Sequence, residues 1–388
     1  MSSSYSIRTL QQINELPAIE WNKCQADDHP FTSFEFLNAL EESGSVSAQT
    51  GWMPQHLVLE DEKQNVLAVA PMYIKGHSQG EYVFDHSWAH AYERAGGRYY
   101  PKLQMSVPFS PVTGPRLLVS QAEDYDEHSQ MLLNGAKQVA IKYGISSVHL
   151  TFLRENDLAN TEATGFLTRV GEQFHWHNRS YQQFDDFLEE LSSRKRKAIK
   201  KERRLENFEG LVFETLQGDE ITASHWDAFF EFYMDTGHRK WGTPYLNREF
   251  FDLLGSALRE KVILFMVKRD EKYIAGALNL MSSNCLYGRY WGCVEEHKFL
   301  HFECCYYRAI EFAIENGLER VEAGAQGPHK LARGYLPTKT YSAHWMQDPG
   351  FHDAVGDFLK AESRDMDAEI EYLGQLSPFR RGPVSGQK

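Results

Sequence analysis

HLVLEDEKQNVLAVAPMYI (residues 56–74) has a counterpart in LFMVKRDEKYIAGALNLM (264–281). Each is an apolar run, a charged turn and a second apolar run, the pattern of a hairpin. Two further pairs follow in the same order. GEYVFDHSWAHAY (80–92) is echoed by CLYGRYWGCVEEH (285–297), and GAKQVAIKYGISSVHL (135–150) by RAIEFAIENGLERVEA (308–323). Self-similarity at long period changes the fold expected of a chain. These matches predict an α/β (α+β) protein made of two copies of one unit, residues 1–181 and 182–388. Each copy would hold a strand, helices, a hairpin, a further helix and closing strands, so each sheet should be mixed rather than purely parallel.

The remaining sequence is consistent with two such units. A chain of 388 residues with 42% hydrophobic and 24% charged residues can bury sizeable cores. Its formal net charge of −13 argues against DNA as a partner through the general surface, so any anion site must be local. Five cysteines without a C-x-x-C spacing read as reduced thiols of a cytoplasmic protein. The first residues, MSSSYSIRTLQQINEL, carry no signal-peptide pattern, and no apolar run approaches the length of a spanning helix. Peripheral membrane contact stays compatible with this reading.

SFEFLNALEES (33–43) has helical spacing with Ser33 as its cap, and QMLLNGAKQVAIKY (130–143) is an amphipathic helix stopped by Gly144. Residues 80–119 are aromatic, rich in Pro and Gly, and read as irregular loops. FDDFLEELSSRKRKAIKKERRLENF (184–208) reads as one helix with an apolar stripe and eight basic residues between Arg194 and Arg204. Lys197, Lys200 and Lys201 are its candidate anion ligands, since phosphate rewards several convergent cations.

The densest polar stretch lies between Tyr287 and Tyr341. Amide formation from an activated acyl group needs a base for the amine and donors for the oxyanion. Glu322, ending a strand before a glycine-rich turn, and His329 beyond it can each accept a proton. Lys330 and Arg333, three apart on a short helix, suit a phosphate or carboxylate. His301 and Glu303 open the long helix after GRYWG (288–292), whose N-terminus favours anions. Arg289 and Trp291, two apart in a strand, should share a face. The turn of His238, Arg239, Lys240 and Trp241 adds Arg239 as a binding candidate. The His86/His90 and His175/His177 pairs lack a third ligand at metal spacing, so no metal site is expected.

SSRKRKAIKKERR (192–204), FYMDTGHRKWGTPYLNREFFDLL (232–254), IAGALNLM (274–281), LYGRYWG (286–292), LHFECCYYRAIEFAIENG (300–317) and EAGAQGPHKLARGY (322–335) occur in this order. In this order they resemble the Fem-like branch of the GNAT superfamily, the FemAB-like predicted N-acyltransferases linked to peptidoglycan biosynthesis. GEYVFDHSWAHAYERAG (80–96) and PFSPVTGPRLL (108–118) extend the resemblance over nearly the whole chain. It implies a tandem pair of GNAT-like domains, with most of the chemistry in the second. By the same analogy Tyr335 would protonate the leaving group. Fem enzymes use aminoacyl-tRNA and most GNAT proteins acyl-CoA. Here no pyrophosphate loop of the acetyl-CoA type precedes the helix at Phe302, and no long coiled-coil insertion interrupts the second half.

The expected activity is N-acyl transfer from a phosphate-bearing carrier to a primary amine, such as that of a cell-envelope precursor. The carrier can be acyl-CoA, an acyl carrier protein or aminoacyl-tRNA, used as a co-substrate with no permanently bound cofactor. A lipid amine as acceptor, and a non-catalytic tandem GNAT binding protein, are the competing readings.

Overall fold

A computed structural model describes residues 5–240, 242, 244–324 and 327–380. Two compact units divide the chain discontinuously. The first comprises the chain up to Gly171, Tyr245–Leu258 and Lys339–Asp367; the second comprises Glu172–Pro244, Arg259–Thr338 and the chain from Ala368.

In the first unit, Tyr5–Leu10, His56–Asp61, Val66–Ala70 and Leu118–Val119 form a four-stranded sheet. Its hairpin pairs Leu57 with Ala70, as the period-two pattern of 56–74 requires. Further strands run Trp52–Pro54, Tyr73–Lys75, Lys102–Met105 and Ser147–Leu153, the last also paired with residues 341–346. Lys102–Met105 and Ser147–Leu153 are parallel. The helix Tyr125–Tyr143 covers them, burying Leu132, Leu133 and Ala136 against Leu57, Leu59 and Val148. It stops where Gly144 turns left-handed at φ 64°, a conformation that costs glycine little. The helix Phe34–Glu42 starts at Ser33, whose Oγ accepts from the Phe36 N–H at 3.3 Å.

The second unit is one sheet in the order Leu211–Gln217, Val262–Arg269, Lys272–Met281, Cys285–Cys293, Arg320–Glu322 and residues 172–177. All neighbours are antiparallel except Cys285–Cys293 and Arg320–Glu322, joined by the helical run 300–315. The helix Ala223–Lys240 lies close on the sheet. A Cβ added at Gly292 would stand 2.3 Å from the Phe232 carbonyl oxygen, so backbone meets backbone there. Gly292→Val should therefore lower stability by about 1–3 kcal/mol. Thermal unfolding followed by circular dichroism checks this; an unchanged melting temperature would deny the close approach.

Four sequence expectations change. The division differs from a single cut after Tyr181, because later segments fold back into the first unit. Phe250 packs edge-on against Phe36, Ala343 pairs with Leu150, and Glu362 meets Arg169 at 2.7 Å. Residues 80–119 are not wholly irregular: they hold the helix His86–Arg94 and two strands. The element matching Cys285–Cys293 is consequently Lys102–Met105, since each is the parallel neighbour of the strand after a long helix, and not residues 80–92. The helix expected over 184–208 is broken into Phe184–Glu190, Ser193–Glu202 and a 3₁₀ turn Leu205–Phe208. Leu191 is extended there and bridges to Phe379, which buries it at the break.

Candidate functional site

In the second unit the parallel ladder is short. Cys285, Leu286 and Tyr287 pair with Arg320, Val321 and Glu322, after which the first strand continues to Cys293 without that partner. A bulge accompanies the separation: Asn279 faces Gly288 but Leu278 faces Tyr290, leaving Arg289 as the extra residue. The alternation that would have put Arg289 and Trp291 on one face is thereby interrupted. The Arg289 guanidinium sits 5.1 Å from the Tyr290 ring centre, while Trp291 meets His301 at 5.5 Å.

The helical run after this strand is not uniform. Leu300–Phe302 is α-helical, Glu303–Tyr307 is a π-turn, and Arg308–Glu315 is α-helical again. A π-turn places residues five apart nearly over one another, and π-turns frequently mark functional sites. Here it brings the rings of His301 and Tyr306 to 5.4 Å. His329, on the 3₁₀ helix Pro328–Arg333, completes the group, its Nε2 lying 2.9 Å from Tyr306 Oη. Phe302 packs 5.9 Å from His329 and carries the Arg333 guanidinium over its face at 3.4 Å.

Desolvation and neighbouring charges set the protonation of this group. Partial desolvation of the exposed ring, then the charges of Arg333 and Lys330, lower the His329 pKa, so the imidazole is neutral at pH 7. Burial raises that of Tyr306, which stays a phenol able to share a proton with His329. Lys330 is buried and its pKa falls to about 8, mainly through desolvation, while its ammonium donates to the Gly324 carbonyl at 2.8 Å. Arg333 is fixed by Glu202 at 3.0 and 2.9 Å and donates to the His329 carbonyl at 2.9 Å.

Thus His301, Trp291, His329, Lys330 and Arg333 are brought together. Other expected residues take different places. Tyr335 is fully buried and its hydroxyl faces the Tyr306 carbonyl at 3.4 Å, so it supports the π-turn from beneath and presents no proton to a cleft. Glu303 is buried in a two-point pair with Arg203, at 2.9 and 2.8 Å. Glu322 is buried too; Arg320 binds its Oε1 at 3.0 Å, and its Oε2 has no partner among the described residues. Lys197, Lys200 and Lys201 are exposed, Lys200 lying 3.5 Å from Asp185. Arg239 is tied to Asp235 at 2.5 Å, Glu296 at 3.1 Å and the Cys293 carbonyl at 2.9 Å. Trp241 and the side chains of His238 and Lys240 lie outside the described residues.

Sequence reading missed Tyr306, Phe302 and Glu202. Under α-helical geometry residues 301 and 306 diverge around the axis, and no local pattern announces a π-turn. Glu202 had a weak signal, being the lone acid between Arg194 and Arg204.

The thiols give a chemical check. Cys24, Cys285, Cys293 and Cys304 are buried and Cys305 is half-buried. Burial pushes Cys24 up to about 12 and Cys285 and Cys304 well above the ordinary thiol range. A disulfide reagent should modify at most one thiol quickly in the native protein and all five after denaturation. Rapid reaction of two or more would contradict these burials.

A family model for FemAB-like proteins, described as peptidoglycan biosynthesis/recognition, matches residues 12–381. The chain belongs to the FemAB-like family. As a FemAB-like protein it is a transferase. Its fold is similar to the crystal structure of FemX, with a TM-score of 0.54 at 13% identity, covering 90% of this chain and all (100%) of that one. It is also similar to the C-terminal domain of a putative lysylphosphatidylglycerol synthetase from Agrobacterium fabrum, with a TM-score of 0.55, 11% identity and coverage of 91% and 95%. L-PGS from Bacillus licheniformis gives a TM-score of 0.51 at 11% identity, with coverage of 92% and 99%. No curated protein sequence matches the chain. The fold is thus the mixed α/β one anticipated from the internal repeat, and tandem GNAT-like as the family resemblance implied. Among the described residues no helix is long and apolar enough to cross a membrane.

Proposed function

We propose that this FemAB-like protein transfers an acyl or aminoacyl group from a phosphate-bearing carrier to a primary amine of a cell-envelope precursor, in the cytoplasm. The observation that carries the reading is the His329–Tyr306 pair, a neutral imidazole held at 2.9 Å from a phenol beside two cations. A primary amine is protonated at neutral pH and attacks only after losing its proton. With Nε2–H donated to Tyr306, the Nδ1 lone pair of His329 takes that proton. The amine nitrogen then bonds to the acyl carbon, and the carbon's bond to the carrier oxygen or sulfur breaks. The imidazolium returns that proton to the leaving group, and the second proton of the attacking nitrogen passes to solvent as the neutral amide forms.

Lys330 and Arg333 supply positive charge where the carbonyl oxygen and the carrier's phosphates become or remain negative. The part of Cys285–Cys293 beyond the parallel ladder offers an extended edge along which an amide-containing acceptor or carrier arm can lie.

Incubating the protein with amine acceptors and a panel of acyl-CoAs, acyl carrier proteins and aminoacyl-tRNAs, with products read by mass spectrometry, tests the proposal. Turnover with one carrier class is expected. Binding of a carrier without any turnover would favour a non-catalytic FemAB-like binding protein instead.

A further inference from the structure

SSRKRKAIKKERRLENFEG (192–210) sets eight basic residues against Glu202, Glu206 and Glu209 in a chain of net charge −13. The helix Ser193–Glu202 buries Ile199 and exposes Lys197, Lys200 and Lys201. Immediately after it Leu205 stands 88% exposed, with Arg204 beside it also exposed. Leu205 borders a groove of about 490 Å³ whose apolar wall includes Phe184, Leu188, Phe208, Leu211 and Phe213. The cations lining the groove, Lys200, Arg203 and Arg308, outnumber its carboxylates, Asp185 and Glu303, and Arg203 and Arg308 lie over the Phe184 and Phe213 rings at 4.5 and 4.1 Å.

A solvated charged face accounts for the lysines alone, and a lone exposed leucine needs no explanation. Their juxtaposition with an open apolar groove does. Nucleic-acid phosphates would satisfy the cations but would leave Leu205 and the groove wall in water. A bilayer surface satisfies all three at once: anionic headgroups meet the lysines, and acyl chains meet the leucine and the groove.

We propose that this face docks on an anionic phospholipid surface, Leu205 entering the acyl boundary and the groove receiving an acyl chain. The inference stands apart from the transfer chemistry, because it concerns neither His329 nor Tyr306.

Cosedimentation of the purified full-length protein with vesicles, without donor or acceptor, tests it. Vesicles of phosphatidylcholine mixed with phosphatidylglycerol should retain the protein, and pure phosphatidylcholine vesicles should not. The triple variant Lys197→Ala, Lys200→Ala, Lys201→Ala should bind on the order of 100-fold more weakly, each lysine contributing near an anionic surface. Leu205→Glu should weaken binding roughly 10-fold or more. Circular dichroism of these surface variants confirms that they fold. Equal retention on both vesicle types, or retention indifferent to all four substitutions, overturns the proposal. So does binding of tRNA through the same lysines with no vesicle binding. His329→Ala should lower transfer by about 10²–10⁴-fold and leave vesicle binding intact, so the two proposals fail separately.

Discussion

His329→Ala is expected to lower the transfer rate by about 10²–10⁴-fold, the usual contribution of a positioned proton acceptor, with little change in stability. The side chain is exposed, so truncation leaves no core cavity. A pH profile separates a base from a packing residue. The His329 pKa is lowered from 6.5 by partial desolvation and by Arg333 and Lys330, so the neutral form persists below that value. The acid limb of the rate should lie at lower pH than an ordinary imidazole would give. Tyr306→Phe removes the hydroxyl at 2.9 Å while keeping the ring against His301, and should cost roughly tenfold. Activity of His329→Ala within threefold of the parent, or an acid limb unmoved by its loss, would exclude His329 as the base.

This site was half legible from the sequence, and the division follows the range of the forces involved. His329, Lys330 and Arg333 could be read because a glycine-punctuated turn leading into a short helix is a local pattern. The hairpin at 56–74, the Ser33 cap and the Gly144 stop were legible for the same reason. Glu303 could not be separated from a ligand-binding acid, since its partner Arg203 is 100 residues away in sequence. Tyr335 likewise reads as an available phenol until Tyr306 and the π-turn are seen to lie over it. The basic segment read as one continuous helix because only the remote Phe379, bridging to Leu191, shows where it breaks. Chain division was obscured similarly: periodicity marks where a motif restarts, but not which later strand or helix returns to an earlier sheet.

The largest effect on stability should come from Lys102→Met in the first unit, a residue of the segment 80–119, whose composition reads as loop. Lys102 is fully buried and donates to Ser78 Oγ at 2.9 Å and Glu81 Oε2 at 2.6 Å, and it also contacts Asp85. Tyr99 binds the same Asp85 oxygen at 2.6 Å. Buried Lys75, 3.9 Å from Glu81 and 3.6 Å from the Trp52 ring centre, is the other cation nearby. Burial lowers its pKa to about 7, so it is a poor substitute for a full charge. Removing Lys102 leaves two buried carboxylates under-compensated, which costs about 3–5 kcal/mol. For a unit of this size that is a fall in melting temperature on the order of 10 °C.

The pH dependence follows from the shifts. Although burial opposes it, attraction to Glu81 and Asp85 raises the Lys102 pKa above 10.5, so its contribution is complete below that pH and is lost as pH climbs through the raised value. Asp85 is also buried, but Lys102 holds its pKa below 3.8, so its contribution is present above 3.8 and lost as pH falls towards the lowered value. Glu81 runs the other way: burial raises its pKa from 4.5 to about 7, so its ionisation increasingly opposes folding as pH rises between those values. Without Lys102 both carboxyls will hold protons more readily, and the deficit of Lys102→Met should shrink as pH drops from 8 to 5. Adding Glu81→Gln and Asp85→Asn should recover much of the loss, because the unpaired charges disappear with their partner. A deficit that is small and independent of pH, or no recovery in the triple variant, would show that the network is hydrated rather than buried.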